Sequence, residues 1–376
     1  MLPTRTIDSR IEFTLRLIGV WPDSSCKILL PAFWATVMMA SQIFQYWYIY
    51  THIGIDTLPD LLYCLSLCLS NTLLFLKVNV LWLNRRIVFD ILMTMTEDWN
   101  MLSSISSKTQ MVDKAILSHR FSKCIIGAYT CMILLGIANM KGMDSLQADG
   151  QRQLAVKMNL PFDYNASPIY EIVMATQVLL QYTLAIMAAM LSAFTVSLVL
   201  HIAGQIEIIC QELLEISVTE DESRIAALRT LVNKHQRIIA FVDSVENVFC
   251  YMSLMQFFSN TLVICFLGFL IMTSLDSNLV LVKITPYYIV VNVEAFILCF
   301  TGEYLTSKSK HISQFAYASL WYELKPTESK ILMLLILRSQ KQLTITAGKF
   351  VELSLESFTQ ILKASASYMS VLRVMY

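Results

Sequence analysis

The sequence predicts an all-α membrane protein with seven transmembrane helices, a cytosolic N-terminus, an extracellular C-terminus and a cytosolic helical anchor domain. Hydrophobic residues make up 56% of the 376 residues and charged residues only 15%. Soluble domains contain about 45–50% apolar and about 25% charged residues. Seven apolar runs are each long enough to cross a bilayer, and most basic residues lie on one side of them. The whole chain, 1–376, is predicted to be one domain.

Each of the seven predicted spans is a mainly apolar segment; they lie near 28–50, 58–82, 123–141, 169–201, 249–274, 284–303 and 349–371. The last span is the most polar of them. Its segment, 344–376, has no helix breaker after Gly348 and predicts about 28 residues of helix, or about 42 Å. Such a polar helix is stable in a membrane only if one face meets protein or water.

Basic residues predict the orientation. The segments 1–27, 83–122, 202–247 and 304–343 contain 19 of the 28 lysines and arginines, whereas the connections on the other side contain four. The positive-inside rule therefore predicts a cytosolic N-terminus. This orientation is opposite to that of G-protein-coupled receptors, whose Asp-Arg-Tyr and Asn-Pro-x-x-Tyr motifs are also absent. Asn165, in the only N-x-S/T sequon, lies on the predicted extracellular side, where glycosylation is an option although Pro168 disfavours it.

The segments 202–248 and 304–343 are predicted to form the cytosolic anchor helices. Apolar residues recur at helical spacing between 205 and 247, with a break predicted at 218–223. Ile331–Leu337 is a further apolar stretch on this side. Helices with apolar stripes outside the membrane need protein partners, so a helical bundle that can join subunits is expected.

No catalytic motif is present. The five histidines are scattered, and the nine cysteines avoid the predicted extracellular segments, so neither a metal site nor a disulfide framework is expected. The stretch AGKF at 347–350 lacks the upstream glycine and the Ser/Thr of a phosphate-binding loop. The net charge of zero gives no field that favours nucleic acid. The sequence thus predicts no enzyme and no cofactor.

Two ionisable residues lie inside predicted spans. Glu294 is in the middle of the sixth span, where it is either a functional group or a structural hydrogen-bonding group to a neighbouring helix. Lys77 lies near the cytosolic end of the second span, where its side chain is predicted to reach the interface.

One face of the last span combines small and moderate side chains with apolar residues at its far end; it comprises Ser357, Ile361, Ala364, Tyr368, Val371 and Met375. This pattern suits a pore-lining helix with a hydrophobic gate. A helix packed into a bundle by its small residues would show a similar pattern.

Several stretches resemble the insect odorant receptor family. The C-terminal LTITAGKF at 343–350, followed by LSLESF at 353–358, ILKAS at 361–365 and SYMSVL at 367–372, is similar to the signature last helix of that family. LRLIGVWP at 15–22 is similar to its N-terminal motif, and Trp321-Tyr322 with Pro326 matches the segment before the last two helices. The resemblance covers the whole chain.

The resemblance implies an odorant-binding subunit of a ligand-gated, non-selective cation channel. Such a subunit assembles with the Orco coreceptor as a heterotetramer in the cell membrane, with the last helices around one pore. The chain lacks the long second cytosolic insertion expected of the coreceptor and so resembles a tuning subunit. Val371 is expected to form the gate with Met375 one turn further out, while Glu352 and Glu356, nearer the cytosolic end of the same helix, are expected to favour cations.

The resemblance implies that the odorant lies in the outer half of the membrane, among the second to sixth helices. The expected contacts are Leu69, Ser70, Leu134, Ile137, Met174, Gln177, Val178, Gln181, Tyr287, Tyr288 and Val291. A small volatile ligand calls for an apolar pocket with a few polar groups.

Two alternatives remain open from sequence. A gustatory receptor would carry a Thr-Tyr-x5-Gln-Phe signature, whereas Ser367-Tyr368 is followed by no Gln-Phe. A transporter would show an internal repeat and broken helices, neither of which is evident.

Overall fold

The computed structural model describes residues 6–21, 29–102, 104–144, 154–216, 221–274 and 278–375, and these residues are almost entirely helical. The elements of this described part are, in chain order, α1 Ser9–Leu17, α2 Leu29–His52, α3 Leu58–Leu83, α4 Arg85–Asn100, α5 Ile105–Asp144, α6 Ile169–Glu215, α7 Asp221–Thr273, α8 Asn278–Ala318, a short 3₁₀ helix Trp321–Glu323, α9 Pro326–Ser339, β1 Thr346–Ala347, β2 Val351–Glu352 and α10 Leu355–Met375.

The seven predicted spans correspond to α2, α3, α5, α6, α7, α8 and α10, which confirms the all-α fold, while the orientation of the termini stays a prediction. Five helices of the described part are long and apolar enough to cross a membrane; they are Leu58–Leu83, Ile105–Ala138, Ile169–Glu215, Ser223–Thr273 and Val280–Glu323. α2 and α10 supply the other two spans. We call the half of the bundle that contains α1, α4 and α9 the inner half, following the predicted orientation, and the opposite half the outer half.

The two longest helices, α6 and α7, continue far beyond the membrane. α6 has 47 residues and α7 has 53, and at about 1.5 Å per residue each is at least twice as long as a bilayer core of about 30 Å. The predicted break between them is confirmed, because α6 ends at Glu215 and α7 begins at Asp221. In the inner half the two helices bury apolar side chains such as Leu213 and Val245, so these extensions form a packed helical bundle.

α1 is attached to the side of this inner bundle. The Asp8 carboxylate caps the helix by accepting from the Arg10 N–H at 2.9 Å. Ile11 and Leu15 are fully buried, and α1 packs on α6. The Trp34 indole N–H donates to the Leu17 carbonyl at 3.0 Å, so α1 is fixed to the start of α2 as well.

The last helix is shorter than predicted. The expected continuous helix from Gly348 is wrong, because β1 and β2 form an antiparallel hairpin before α10 begins at Leu355. Gly348 and Lys349 both have positive φ, +66° and +64°, and the Phe350 N–H donates to the Ala347 carbonyl at 3.3 Å. These features are those of a tight hairpin turn. α10 has 21 residues, about 31 Å, which still spans the hydrocarbon core.

The segment before α10 lies directly against α8. A Cβ atom at Gly302 would be 2.3 Å from the Leu353 carbonyl oxygen, so only glycine allows this approach. The Leu355 N–H also points to the Glu303 carboxylate at 3.4 Å. The start of the last helix is therefore tied to α8 by both packing and polar contact.

Candidate ligand-binding chamber and last helix

A chamber lies between α3, α5, α6, α7 and α8, within the membrane-spanning part of the bundle. It consists of two adjoining cavities, a deep cavity of about 90 Å³ and an outer cavity of about 150 Å³. Both are lined by Leu67, Met132, Gln181, Ala185 and Tyr287. An apolar cavity of about 150 Å³ can bind benzene, so the chamber is large enough for a small volatile molecule.

The outer cavity is mainly apolar and is covered by the segment that precedes α6. Ile133, Ile137 and Val178 contribute to its wall, and Val156 of the covering segment closes it. The amide of Gln177 holds this cover in place, since it accepts from the Val156 N–H and donates to the Val156 carbonyl, both at 3.2 Å. Gln177 is thus 6% exposed and fully engaged with backbone.

Two hydroxyl groups meet where the cavities join. Ser70 Oγ lies 2.7 Å from Tyr287 Oη, and the Tyr287 hydroxyl donates to the Ser66 carbonyl at 3.0 Å. These contacts fix Tyr287 of α8 against α3. The tyrosine ring then forms a wall shared by both cavities.

A group of four polar side chains, the floor cluster, closes the inner end of the chamber: Lys77, Tyr129, Gln256 and Glu294. Glu294 Oε1 accepts from Lys77 Nζ at 3.0 Å and from Gln256 Nε2 at 3.0 Å. Glu294 Oε2 accepts from the Tyr129 hydroxyl at 3.1 Å. The cluster joins α3, α5, α7 and α8 by hydrogen bonds to one carboxylate.

The expected position of Lys77 is wrong. Lys77 is 5% exposed and forms an ion pair with Glu294 inside the bundle, so it does not extend to the interface. A lysine inside a membrane protein is stable when an opposite charge compensates it. For Glu294 the hydrogen-bonding alternative is therefore observed, and its three donors come from three different helices.

Six of the eleven predicted odorant contacts line the chamber: Ser70, Ile137, Val178, Gln181, Tyr287 and Val291. The other five do not. Leu69 and Met174 lie outside the lining, and Leu134 is 58% exposed on the outside of α5. Gln177 holds the covering segment, as described. Tyr288 packs against α7, where its ring lies 3.6 Å from the position of a Cβ at Gly268.

Sequence reasoning missed Lys77, Tyr129 and Asn260 as lining residues. A usable signal existed for the first of them. Lys77 lies seven residues inward from Ser70 on α3, and Glu294 lies seven residues inward from Tyr287 on α8. Seven residues are about two helical turns, so opposite charges occur at equal depth below two predicted contacts. No comparable pattern in the sequence indicates Asn260.

The last helix packs against α7 and α8 with the inner part of its predicted pore face. Ser357 and Ile361 are 4% and 1% exposed, so both lie inside the subunit. Ile361 packs with buried side chains of α7 and α8 that include Leu267 and Ala295, a group that we call the outer apolar cluster. This burial corrects the expectation for Ile361, whose side chain does not reach an open surface. Further along, Ala364 is half-buried.

The outer end of α10 is exposed. Tyr368 and Val371 are 53% and 56% exposed, and the side chain of Met375 is outside the described residues. Glu356 lies exposed in the first turn of α10, whereas Glu352 belongs to β2. The expectation that both glutamates share one helix is therefore wrong.

One hydrogen bond connects α10 to the helix that lines the chamber. The buried Ser365 hydroxyl donates to the Thr261 carbonyl of α7 at 3.0 Å. Thr261 directly follows Asn260, which lines the deep cavity. A displacement of α7 at the chamber would therefore act on the last helix through adjacent residues.

Asn165 lies exposed before α6. Its backbone N–H and its side-chain Nδ2 both donate to Asp163 Oδ1 at 3.0 Å. Glycosylation of this residue stays a prediction.

Comparison with known proteins identifies related sequences over most of the chain. The sequence profile of the family described as 7tm Odorant receptor matches residues 57–366. Odorant receptor 10 of Aedes albopictus is 31% identical over 60% of this chain and 62% of its own length. Odorant receptor 13a of Drosophila melanogaster is 25% identical over 96% of this chain and 94% of its own length.

Solved structures show the same fold. The insect olfactory receptor OR5 from Machilis hrabei, in complex with eugenol, superposes with a TM-score of 0.80 at 14% sequence identity, covering 98% of this chain and 97% of that one. The structure of the same receptor described without eugenol has a TM-score of 0.74. At this identity the likeness establishes the architecture of the chain and not its ligand.

Proposed function

The chain belongs to the 7tm odorant receptor family, a family of membrane receptors and not of enzymes, and from this premise we propose that it is the odorant-binding subunit of a ligand-gated, non-selective cation channel. It is a multi-pass membrane protein, and five helices of its described part are long and apolar enough to cross a membrane. The observation that carries the proposal is the chamber between α3 and α8, which adjoins the last helix through α7.

The chamber has the properties of a pocket for a volatile ligand. Its outer cavity is lined mostly by apolar side chains and is covered by a segment that Gln177 holds in place. Pockets of this kind bind apolar ligands and use a few polar groups for orientation. OR5 of Machilis hrabei, which shares the fold, was solved with eugenol, and we propose a small volatile ligand for this chamber as well.

Ligand binding opens the pore, in this proposal, by moving α7 relative to α10. A ligand can shift a conformational equilibrium only through contacts that differ between the two states. The Ser365 to Thr261 hydrogen bond, beside the deep cavity, supports this coupling because it joins α7 to α10 next to Asn260. Small displacements of α7 are then transmitted to the last helix.

The proposed partner is the Orco coreceptor, in a heterotetramer held together by the anchor helices of 202–248 and 304–343. The exposed face of α9 supports this, because Met333, Leu334 and Leu337 are 46%, 66% and 64% exposed. These residues form one apolar face on the inner half, and a face of this kind is favoured at subunit interfaces. The proposed cell location is the cell membrane with the N-terminus in the cytosol.

The proposed gate is Val371, with Tyr368 and Met375 on the same side of α10. A ring of apolar side chains blocks ions by dewetting when it is narrow. Glu356 and Glu352, near the inner end of the pore, would attract cations. The exposure of Val371 in the single chain supports a surface that meets the pore or another subunit.

Co-expression of the chain with Orco and whole-cell recording against a panel of volatiles tests the proposal. Currents evoked by volatiles are expected only when both chains are present. Accumulation of a substrate without current would contradict the channel function and indicate a transporter. Large currents from the chain alone would contradict the heteromeric assembly.

Val371→Ser tests the gate within the same assay. A small polar side chain should wet the constriction and raise basal current or change ion selectivity, with surface expression retained. Leu372→Ser is the matched control, since Leu372 packs against the outer apolar cluster, and it should lower expression without changing selectivity. A cysteine at 371 that never reacts with a water-soluble thiol reagent, with or without odorant, would exclude Val371 from the pore.

A further inference from the structure

Asn260 is a buried hydrogen-bond donor that faces the deep cavity without a partner. It is 3% exposed and lines the cavity of about 90 Å³. Within the described part of the chain, its side-chain Nδ2 has no hydrogen-bond acceptor. Buried amide donors are nearly always paired in folded proteins, because an unpaired one loses its hydrogen bonds to water. The position therefore calls for an acceptor from outside the chain.

The polar groups around Asn260 do not supply this acceptor. The Glu294 carboxylate already accepts from Lys77, Gln256 and Tyr129. Lys77 also lines the cavity, and an ammonium group donates but never accepts. Ser70, Asn71 and Gln181 line the cavity too, but within the described residues no acceptor lies within hydrogen-bond distance of Asn260 Nδ2.

The charge of the floor cluster limits what can bind there. Lys77 and Glu294 lie 3.0 Å apart and cancel each other. An anionic ligand would approach Glu294 in a medium of low polarity, where repulsion between like charges is strong. A neutral acceptor meets no such penalty.

We infer that the deep cavity is the subsite for a neutral oxygen acceptor, so the ligand is a volatile with a carbonyl or ester group, whose oxygen accepts a hydrogen bond from Asn260 Nδ2. The hydrocarbon part of the ligand lies in the outer cavity, against Ile137 and Val178. The inference rests on the proposed function in that it uses the same chamber. It adds the chemical class of the ligand and the residue that recognises it.

Shape-matched ligand pairs test this inference. Acetophenone and α-methylstyrene differ only in that a methylidene group replaces the carbonyl oxygen, and straight-chain methyl ketones with their methylidene counterparts extend the series. The full chain is co-expressed with Orco, purified in detergent and melted with each probe, and the same probes are applied in whole-cell recordings. The ketones are expected to bind about tenfold more tightly than the hydrocarbons, the value of one well-made buried hydrogen bond.

Asn260→Leu keeps the size of the side chain and removes its donor. In this variant ketone affinity should fall to the hydrocarbon level, while hydrocarbon affinity is retained or improved. Ser259→Ala is the matched control, because the Ser259 hydroxyl is also buried without a partner but lines neither cavity. It should keep the preference for ketones.

The outcomes separate this inference from the proposed function. A ketone preference in melting that depends on Asn260, without any evoked current, would refute the channel function and support the inference. Equal binding of ketones and hydrocarbons to the unsubstituted chain, including no binding of either, would overturn the inference. If Asn260→Leu does not fold, the paired ligands on the unsubstituted chain still decide it. A preference that persists in folded Asn260→Leu would overturn the assignment to Asn260 and indicate another donor of the cavity, such as Lys77.

Discussion

Two ionic clusters in the described part of the molecule have similar chemistry but differ in how they meet solvent. The floor cluster around Glu294 lies within the membrane-spanning part, with the side chains of Lys77 and Glu294 6% and 12% exposed. The second, which we call the N-terminal cluster, lies in the inner half and comprises Thr6, Asp98, Trp99, His201 and Arg237. In it the side chain of Arg237 is 34% exposed, so water reaches one of its charges.

The N-terminal cluster attaches the start of the chain to the bundle. His201 Nε2 lies 3.0 Å from Asp98 Oδ2, and its Nδ1 lies 3.2 Å from Thr6 Oγ1. The Trp99 indole N–H donates to the same Thr6 hydroxyl at 3.0 Å. Arg237 Nε approaches Asp98 Oδ1 at 2.8 Å. Its groups are engaged with one another, and the cluster serves attachment.

The two clusters differ in how much stability is lost when one charged partner is removed. A charge with access to water can be solvated when its partner is removed, so the loss is partial. A charge in the membrane interior cannot, so each member of the floor cluster depends on the others. The floor cluster also borders a cavity, and it therefore combines structural constraint with the place where a ligand would bind.

The largest effect is expected from removing the carboxylate of the floor cluster. Glu294→Ala leaves Lys77 buried without a counter-charge, which should destabilise the protein by about 3–5 kcal/mol. The loss should appear as low surface expression and a lowered melting temperature in detergent. The double variant Lys77→Met with Glu294→Leu removes both charges and should recover most of the stability.

The double variant makes this prediction decisive. If the single and double variants were equally unstable, the ion pair would contribute through packing and not through charge compensation. If Glu294→Ala matched the unsubstituted chain in stability, Lys77 would have another route to solvent. Neither result is compatible with a buried pair at 3.0 Å.

A smaller effect is expected at the N-terminal cluster. Asp98→Ala removes the acceptor for His201 and one of the two counter-charges of Arg237, the other being Glu97, at a cost of about 2 kcal/mol. Because the cluster is distant from the chamber, ligand preference should not change. Limited proteolysis measures the attachment directly, and the segment around Thr6 should be cleaved faster than in the unsubstituted chain.

Phe13→Ala on α1 is the control for this experiment, because Phe13 is 66% exposed and takes no part in the cluster. Its cleavage rate should be unchanged. An Asp98→Ala variant with normal protease resistance but altered ligand preference would reverse the roles assigned to the two clusters.

Much of the fold could be predicted because hydropathy and charge are local properties of the sequence. The seven spans and the break between Glu215 and Asp221 follow from segment length and apolar spacing. The start of α10 could not be predicted in this way, because the residues of the hairpin at Gly348 are also compatible with a helix. The hairpin is fixed by contact with α8 at Gly302, and this contact is a tertiary one.

The chamber was less predictable than the fold. Residues such as Ser70 and Tyr287 could be predicted because they lie at the expected depth on helices expected to surround a ligand. Leu134 and Gln177 lie at a similar depth but point elsewhere, and the rotation of each helix depends on packing against all its neighbours. Lys77 can pair with Glu294 only if α3 and α8 are rotated so that the two side chains face each other. The composition of the two segments does not determine these rotations.

The smallest effect in this comparison is expected at a third charged group, near water in the inner half. Glu207 Oε1 accepts from Lys114 Nζ at 2.8 Å and from Lys308 Nζ at 2.7 Å, joining α5, α6 and α8. Burial alone would raise the pKa of Glu207, but the hydrogen bonds from the two lysines outweigh it and lower the pKa. Because the folded-state pKa is depressed, the stabilisation is present above the unfolded value near 4.5 and is lost as pH falls through the folded value.

Glu207→Gln should therefore lower stability by about 1 kcal/mol at neutral pH, and the difference from the unsubstituted chain should shrink on acidification. Melting temperatures measured for both proteins from about pH 7 to about pH 4 test this, and a gap that is constant over this range would show that Glu207 contributes through its shape and not through its charge.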